Sequence, residues 1–387
     1  VGMSALLTAT TAANNVAVGV SALKLNTGVS NTALGRGALL NNSTAAYNTA
    51  VGRDALNDNT TGTRNTAVGS YALDGNTTAD DNTAVGYDAL GATNTGAYNI
   101  AVGTYALDAN TSGAGNIGVG HNALGGNTTA ANNVAIGLNA MVTNTTGASN
   151  TAIGAYALDA SNANNNTAFG YGTLTDNSSG AQNVAVGGGA LASNTTASSN
   201  TAVGYGAINV NTTGANNVAV GAYALDANTD ASSNTAIGYN ALTAATTGGQ
   251  NVAIGSEALD ANTTAVQNTA IGAHAMGSNT TGDLNVAVGY QALTTNVDGD
   301  RSVAVGYQAL YTQEPASNVD MYNVGIGYAA LYGLTTGIRN IAVGAQALDA
   351  TVTGNDNVAL GNQAMSVNTS GASNTAVGAN ALDANTT

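Results

Sequence analysis

A 17-residue phrase, repeated along the chain, constrains the fold more than any other feature of the sequence. Its consensus is N-[TV]-A-[VI]-G-x-x-A-L-x-x-N-T-T-G-x-x, as in residues 48–64. The glycine at its fifth position recurs 23 times between Gly2 and Gly378, mostly at steps of 17 residues. Self-similarity at a period near 20 residues is the signature of a solenoid, in which each coil packs on the next. Positions 1 to 17 below are counted from the asparagine that opens each copy.

The residues of the repeat favour short strands over helix. Asn, Thr and Gly are poor helix formers, and the apolar residues occur as adjacent pairs rather than at i, i+3 and i+4. We predict one strand at positions 2 to 4, a second strand around the Ala-Leu pair at positions 8 and 9, and a corner at Asn-Thr-Thr-Gly. The glycine at position 5 is expected to turn the chain through a positive φ. The sequence therefore predicts an all-β parallel β-solenoid, or β-roll, of about 23 coils with a 17-residue repeat.

The repeat spans the whole chain, so we expect residues 1–387 to form one β-solenoid rod. The first copy starts at its fourth residue and neither end carries an atypical capping coil, which predicts the ordered middle of a longer chain or end-to-end stacking. One step is different, because Gly306 and Gly327 are 21 residues apart. The additional residues lie within 311–322, which contain the only proline, and they predict a loop inserted in one coil.

Composition and motifs exclude several classes of function. Six basic and 21 acidic residues give a net charge of −15, which disfavours nucleic acid and anionic membranes as partners. There is no cysteine, no apolar run long enough to span a bilayer, no phosphate-binding loop and no H-E-x-x-H motif. His121 and His274 are far apart in the sequence and are expected at the surface. We therefore expect a protein that is not an enzyme, with no catalytic residue, cofactor, metal or membrane insertion by this segment.

Aspartate recurs directly after the leucine of the repeat and raises the question of calcium, which carboxylate oxygens bind. The coils that carry it are mostly not consecutive, and the calcium-binding nonapeptide repeat is absent. We therefore interpret this row as a solvated corner. Its members are Asp74, Asp108, Asp159, Asp226, Asp260, Asp349 and Asp383.

Tyrosine also follows the repeat, since eleven of the 16 tyrosines lie one or two places after the position-5 glycine. An aromatic ring with nearby amides suits a carbohydrate, whereas a fixed place in the repeat suits packing at a subunit seam. Both interpretations stay open. The eleven are Tyr71, Tyr87, Tyr105, Tyr156, Tyr171, Tyr205, Tyr223, Tyr239, Tyr290, Tyr307 and Tyr328.

The predicted strand at positions 2 to 4 is apolar on both faces. Thr49 and Val51 point one way and Ala50 points the other, because side chains alternate along a strand. A strand that is apolar on both faces is usually buried on both faces. We predict that the alanine row approaches a second subunit, the alternative being a thin core filled with alanine. The candidate seam residues are Ala50, Ala67, Ala84, Ala101 and Ala135.

Residues 133–140, Asn-Val-Ala-Ile-Gly-Leu-Asn-Ala, resemble the head repeat of trimeric autotransporter adhesins, and similar repeats occur in phage tail fibres. The resemblance covers essentially the whole chain, through one short motif in each coil. It implies a left-handed parallel β-roll, three chains side by side as a homotrimer, and attachment to a host surface. The repeat here is longer than the coil of that family, with the extra residues around Asn-Thr-Thr-Gly.

We therefore expect an extracellular structural fibre, at a cell surface or on a virion, that acts as an adhesin or tail-fibre shaft in attachment or host recognition. A cell-surface glycan or receptor is the expected ligand. The alternatives are an ice-binding solenoid, whose threonine rows would order water, and a self-assembling extracellular filament subunit. Thermal hysteresis of the purified protein distinguishes ice binding from adhesion.

A unique ligand needs a unique place, and the break in the repeat at residues 298–322 is the strongest candidate. Charge is concentrated there in a chain that has little, and Ser302 replaces the position-1 asparagine. Loops on rigid scaffolds commonly carry binding function, although an inserted loop with no role is the alternative. The candidate binding residues are Asp298, Asp300, Arg301, Tyr311, Glu314, Asp320 and Tyr322.

Overall fold

A computed structural model of the chain describes residues 2–8, 12–92, 95–315, 317–350, 353–384 and 386. Within these ranges the protein is an all-β parallel solenoid with 22 strands of three residues each and no helix. It consists of two compact units, Val1–Thr196 and Ala197–Thr387. Each unit holds eleven strands. The first copy of the repeat has only its fourth residue before the glycine, so 23 glycines accompany 22 described strands.

The strands of the first unit all occupy positions 2 to 4 of their coils. They are β1 Val16–Val18, β2 Thr32–Leu34, β3 Thr49–Val51, β4 Thr66–Val68, β5 Thr83–Val85, β6 Ile100–Val102, β7 Ile117–Val119, β8 Val134–Ile136, β9 Thr151–Ile153, β10 Thr167–Phe169 and β11 Val184–Val186.

The strands of the second unit occupy the same positions. They are β12 Thr201–Val203, β13 Val218–Val220, β14 Thr235–Ile237, β15 Val252–Ile254, β16 Thr269–Ile271, β17 Val286–Val288, β18 Val303–Val305, β19 Val324–Ile326, β20 Ile341–Val343, β21 Val358–Leu360 and β22 Thr375–Val377.

Within each unit, consecutive strands pair in parallel and in register, so that each position of the repeat lies beside the same position of the next coil. Between β3 and β4, for example, Ala50 pairs with Ala67 and Val51 pairs with Val68. The same register holds from β18 to β19, where Val303 pairs with Val324 across the 21-residue step. The prediction of a parallel β-solenoid with a 17-residue repeat is therefore confirmed.

The position-5 glycine turns the chain at the end of each strand. Gly52, for example, has a φ of 141°, in the region that favours glycine. A Cβ at Gly52 would also collide with the carbonyl of Gly69 in the next coil. Glycine is thus required both by its own conformation and by the close stacking of the backbone, and the predicted turn is confirmed.

The second predicted strand, around positions 8 and 9, is wrong. This segment is a tight turn in which positions 7 and 9 are left-handed, as at Tyr71 with a φ of 61° and Leu73 with a φ of 53°. Two left-handed residues separated by one residue prevent an extended run. Left-handed backbone is least favourable for β-branched residues, and Ile208 is the one such residue among the described non-glycine residues with positive φ.

The core of each coil is thin and consists mainly of alanine at positions 3 and 8 and leucine at position 9. Ala50, Ala55 and Leu56 are fully buried within the single chain. Where Gly118 takes the place of the position-3 alanine, an added Cβ would lie 3.3 Å from the side chain of Leu107. Position 3 therefore points inward, onto the leucine of the preceding coil.

This orientation corrects the predicted subunit seam. A side chain with no exposed surface in the single chain has none left for a contact with a second subunit, so the alanine row fills the core, as in the alternative interpretation. All five candidate seam residues have 0% exposure, namely Ala50, Ala67, Ala84, Ala101 and Ala135.

Two rows of buried asparagine line the coil at positions 1 and 12. At position 1 the side chain bonds to backbone, because the Asn65 N–H donates to Asn48 Oδ1 at 2.9 Å and Asn65 Nδ2 donates to the Ala79 carbonyl at 2.8 Å. At position 12 the amides bond to each other, as where Asn76 Nδ2 donates to Asn59 Oδ1 at 2.8 Å. The repeat therefore satisfies most of these buried amides along the stacking direction, whereas Oδ1 of Asn76, Asn228 and Asn262 accepts no hydrogen bond from the described residues.

Candidate functional site

The 21-residue coil leaves the regular path after Gln313 and rejoins it at Met321. The Asp300 N–H donates to the Val319 carbonyl and the Met321 N–H donates to the Asp300 carbonyl, both at 3.0 Å. Pro315 and Met321 are buried against the coil. The predicted insertion is thus anchored at both ends, and its exposed tip consists of residues 317–319.

Two substitutions in the buried asparagine rows compensate each other beneath this loop. Ser302 stands at position 1, and the longer Gln313 stands at position 12. Ser302 Oγ donates to Gln313 Oε1 at 3.0 Å, and Asn323 Nδ2 donates to the same oxygen at 3.0 Å. Gln313 Nε2 in turn donates to Asn296 Oδ1 at 3.0 Å, which continues the position-12 row. The longer amide therefore fills the space that the shorter serine leaves.

Three of the seven predicted loop residues meet on the surface and are here named the loop patch: Arg301, Asp320 and Tyr322. Arg301 forms an ion pair with Asp320, and the Tyr322 hydroxyl donates to Asp320 Oδ2 at 3.0 Å. The Arg301 guanidinium carbon lies 6.0 Å from the centroid of the Tyr322 ring. The patch therefore presents a cation, a carboxylate and an aromatic ring side by side.

Three further predicted residues, Asp298, Asp300 and Glu314, form an acidic edge on the same coils. Glu314 Oε2 accepts from the Val297 N–H at 2.8 Å, and Asp300 Oδ1 accepts from the Asp283 N–H at 2.7 Å. Burial raises the pKa of both carboxyls above its usual range. In the part of the chain that the structure describes, no group of three or more His, Asp or Glu side chains is arranged to hold a metal ion.

The seventh predicted residue, Tyr311, lies elsewhere in the coil. It occupies position 10, and its ring stacks on that of Tyr332 with 5.1 Å between centroids. It therefore belongs with the tyrosine rows rather than with the loop patch. The sequence grouped it with the loop only because the insertion follows closely in the chain.

The residues that point outward from the strands, at positions 2 and 4, form the outward strand face, which the sequence analysis did not identify as a candidate surface. Ile100 and Val102, for example, are 40% and 37% exposed, although both are large and apolar. None of the 22 described strands contains a charged residue. The signal was present in the apolar residue at position 4 of each strand, but the apolar residue at position 3 left open which face pointed inward.

The predicted aspartate row at position 10 is half-buried rather than fully solvated, except for exposed Asp383. Burial raises the pKa of the Asp74 carboxyl to about 6, with a further contribution from the negative charge of Asp88. Burial likewise raises the pKa of the other aspartates in this row: Asp108, Asp159, Asp226, Asp260 and Asp349.

The two histidines lie at the ends of tyrosine rows; His121 is exposed and His274 is partly exposed. The His121 ring packs edge to face on Tyr105 with 6.1 Å between centroids. His274 packs in the same way on Tyr290, and its Nδ1 lies 3.1 Å from Glu257 Oε2. Neither position brings a second histidine close by, so the histidines are part of the rows described below.

Comparison with known proteins does not assign the chain to a family. No family model matches it, and no curated protein is similar to it. Among the described residues, no helix has the length and apolar character that would let it cross a membrane.

Proposed function

We propose that this chain is a non-enzymatic structural segment of an extracellular fibre, an adhesin or tail-fibre shaft, that forms a homotrimer and attaches to a cell surface. The observation that carries the proposal is the outward strand face. It combines exposed apolar side chains with the absence of charge in every described strand. Exposed apolar patches of this extent mark interaction surfaces in soluble proteins.

The size of this face supports association with further copies of the chain. In each unit, eleven strands present an apolar side chain at position 4; position 2 is Val or Ile in 12 of the 22 strands and Thr in the other ten. With about a third of each apolar side chain exposed, the apolar part of this face is on the order of 700 Å² per unit, against about 800 Å² per partner in a stable interface. A copy of the same chain offers an equally regular and equally uncharged face, so side-by-side packing buries both.

Glutamate on the outward strand face should dissociate the oligomer without unfolding the chain. The variant carries Val68→Glu, Val85→Glu and Val102→Glu, three outward residues of consecutive coils. We expect a trimeric mass for the wild type by light scattering and a monomeric mass for the variant, because unpaired charge in an apolar contact costs several kcal/mol. Circular dichroism checks that the strands remain.

A matched control adds the same charge on another face, at the exposed position-14 residues Thr61→Glu, Ser112→Glu and Thr129→Glu. This control should stay trimeric. A monomeric wild type, or dissociation of both variants alike, would contradict the proposed interface. Thermal hysteresis by the wild-type protein would instead support ice binding, for which the outward threonines at position 2, such as the partly exposed Thr49, are the relevant row.

The loop patch is the proposed place of recognition, and a cell-surface glycan is the proposed ligand. The outward strand face repeats in every coil, whereas Arg301, Asp320 and Tyr322 depend on the one coil with a 21-residue step. Arginine and carboxylate groups can hydrogen-bond sugar hydroxyls, and an exposed tyrosine ring can pack on the apolar face of a sugar. Tyr322 is 49% exposed.

An array of cell-surface glycans tests this assignment. The double variant Arg301→Ala, Tyr322→Ala should lose binding by about tenfold or more, since it removes the main donors and the ring. The control Arg64→Ala, Tyr98→Ala removes the same residue types at the same coil position, 17, in the first unit. Equal binding by both variants and the wild type would refute recognition at the loop patch.

A further inference from the structure

The position of an aromatic residue in the repeat decides how it meets its neighbour in the next coil. Where consecutive coils alternate between positions 6 and 7, the rings meet edge to face, at interplanar angles between 79° and 89°. Where consecutive coils use the same position, the rings stack. The stacked rings are Tyr290, Tyr307 and Tyr328 at position 6, and Tyr311 and Tyr332 at position 10.

The stacked rings are close and nearly parallel. Tyr307 lies 5.4 Å from both Tyr290 and Tyr328, at interplanar angles of 20° and 7°. Tyr311 and Tyr332 are 5.1 Å apart at an angle of 5°. Because the two residues of each pair extend from the same position of in-register parallel coils, equivalent ring carbons are neighbours. This includes the carbons ortho to the hydroxyl.

The position-6 stack is also accessible from solvent. Tyr290 and Tyr307 are each 44% exposed and Tyr328 is 56% exposed. A neighbouring ring covers part of each face, so the exposed fraction includes the ring edges. A diffusible oxidant can therefore reach the phenols while the coil backbone holds the rings in place.

We propose that Tyr307–Tyr328 and Tyr311–Tyr332, followed by Tyr290–Tyr307, are sites of dityrosine formation within one chain. A haem peroxidase supplied with hydrogen peroxide takes one electron and one proton from each of two phenols, and the peroxide is reduced to two waters. The two phenoxyl radicals form one carbon–carbon bond between their ortho carbons. Each ortho hydrogen is then lost as a proton while its oxygen regains one, so the product has two hydrogens fewer than the two tyrosines.

These cross-links would fall where the repeat is least regular. Both Tyr307–Tyr328 and Tyr311–Tyr332 join the coil that carries the inserted loop to the coil that follows it. In this coil Ser302 replaces the position-1 asparagine, and its hydrogen bonding depends on Gln313. Two covalent bonds would therefore tie the irregular coil to the coil that follows it.

The test treats the folded chain of 387 residues with a haem peroxidase and hydrogen peroxide and maps cross-linked peptides by mass spectrometry. We expect loss of two hydrogens at Tyr307–Tyr328 and Tyr311–Tyr332. The matched control is Tyr205–Tyr223, whose ring centroids are 5.5 Å apart, close to the 5.4 Å of Tyr307–Tyr328, but whose rings meet edge to face at 82°. Because orientation governs reactions between held groups, the stacked pairs should couple about tenfold more than this control.

Two further measurements make the result decisive. Tyr307→Phe keeps the stacked ring but removes the hydroxyl, so it should abolish both cross-links to Tyr307 and leave Tyr311–Tyr332 unchanged. A mixture of isotope-labelled and unlabelled chains separates bonds within one chain from bonds between chains. Equal coupling at Tyr205–Tyr223, cross-links mainly between chains, or no coupling in the folded protein would each overturn the proposal.

Discussion

At the scale of single residues, the aspartate row shows how the preceding coil determines which side chain is favourable at a repeated position. The side chain at position 10 reaches the position-7 carbonyl of the preceding coil. Asn57 Nδ2 donates to the Gly37 carbonyl at 3.1 Å, and Thr243 Oγ1 donates to the Tyr223 carbonyl at 2.6 Å. An ionised aspartate at this position has no proton to donate. Burial without that hydrogen bond disfavours the charged form, and it raises the pKa values of the row.

Replacing Asp74 by asparagine should therefore stabilise the protein at neutral pH. Asp74 titrates near pH 6 in the folded protein and near 3.8 in the unfolded chain, so the folded state holds more protons in this window and stability falls as pH rises. Because the side chain is half exposed, solvent screening limits the gain from Asp74→Asn to about 1 kcal/mol at pH 7. Chemical unfolding at several pH values measures it.

The control for this variant is Asp81→Asn, which should have the opposite sign. The guanidinium of Arg64 lowers the pKa of Asp81, so that this carboxylate favours the folded state above its ordinary titration range and loses the effect as pH falls. Both differences from the wild type should vanish in acid, where both aspartates are protonated. A benefit of Asp74→Asn that persists unchanged at pH 3 would show that charge is not its cause.

Residue identity alone predicted some of these conformations and missed others. Glycine at position 5 indicated a positive φ from the sequence alone, because glycine is the residue that adopts it freely. The left-handed leucine at position 9 gives no such signal, since leucine is not typical of that region and is held there by the core on every side. Leu73, for example, combines a φ of 53° with complete burial. Tertiary packing, rather than local preference, decides its backbone.

At the scale of elements, the sequence predicted the strand at positions 2 to 4 but not which of its faces is inside. Alternation fixes which residues share a face, and Thr49 and Val51 do share one. Both faces are apolar, so the pattern cannot tell core from surface. The size of the side chains decides which face points inward, because the thin core has room for Ala50 but not for a larger residue. The three-dimensional packing of the coil is needed to recognise this limit on side-chain size at position 3.

The asparagine rows can be tested at the irregular coil, where both rows carry a substitution. Gln313→Asn alone should destabilise the protein by about 1–3 kcal/mol, because the shorter amide can no longer hold both Ser302 Oγ and Asn323 Nδ2 in the buried row. Adding Ser302→Asn returns both rows to the residues of regular coils and should recover part of the loss. Denaturant unfolding of the four proteins gives the interaction free energy.

The sign of this interaction is the informative result. Recovery in the double variant means that Ser302 and Gln313 compensate each other, as their hydrogen bonds indicate. If the losses of stability from Gln313→Asn and Ser302→Asn simply add, the two side chains do not compensate each other, and the inserted loop determines the stability of this coil. Ser302→Asn alone provides the remaining reference, and we expect it to be destabilising because the longer side chain meets Gln313 in a buried space.

At the scale of the whole molecule, the repeat predicted the fold because the same residues occupy the same core and turn positions in each coil. It could not predict the site in the same way. Arg301, Asp320 and Tyr322 occur together once, and their contact depends on how four additional residues fold against the coil. The outward strand face, in contrast, follows from the repeat once the inward side of the strand is known. The sequence thus named these three residues as candidates but not the contacts between them, and the repeat itself did not prevent the wrong prediction of a second strand at positions 8 and 9.

The distribution of charge predicts how self-association responds to salt. The chain has 21 acidic and six basic residues, and none of them lies in a described strand. Copies that pack through the outward strand face therefore bring like charges on their other surfaces closer together, while the contact itself is apolar. Salt screens this repulsion over a distance of about 10 Å at 0.1 M and leaves the apolar contact in place or strengthens it.

We therefore expect the oligomer to become more stable as salt concentration rises. Light scattering on a dilution series should show the mass falling to that of one chain at a lower protein concentration in 0.5 M than in 0.05 M sodium chloride, by roughly severalfold. The Val68→Glu, Val85→Glu, Val102→Glu variant should stay monomeric at both, because screening does not remove the cost of burying three unpaired carboxylates. If salt instead dissociates the wild type, ion pairs between chains hold the oligomer, and the outward strand face is not its main contact.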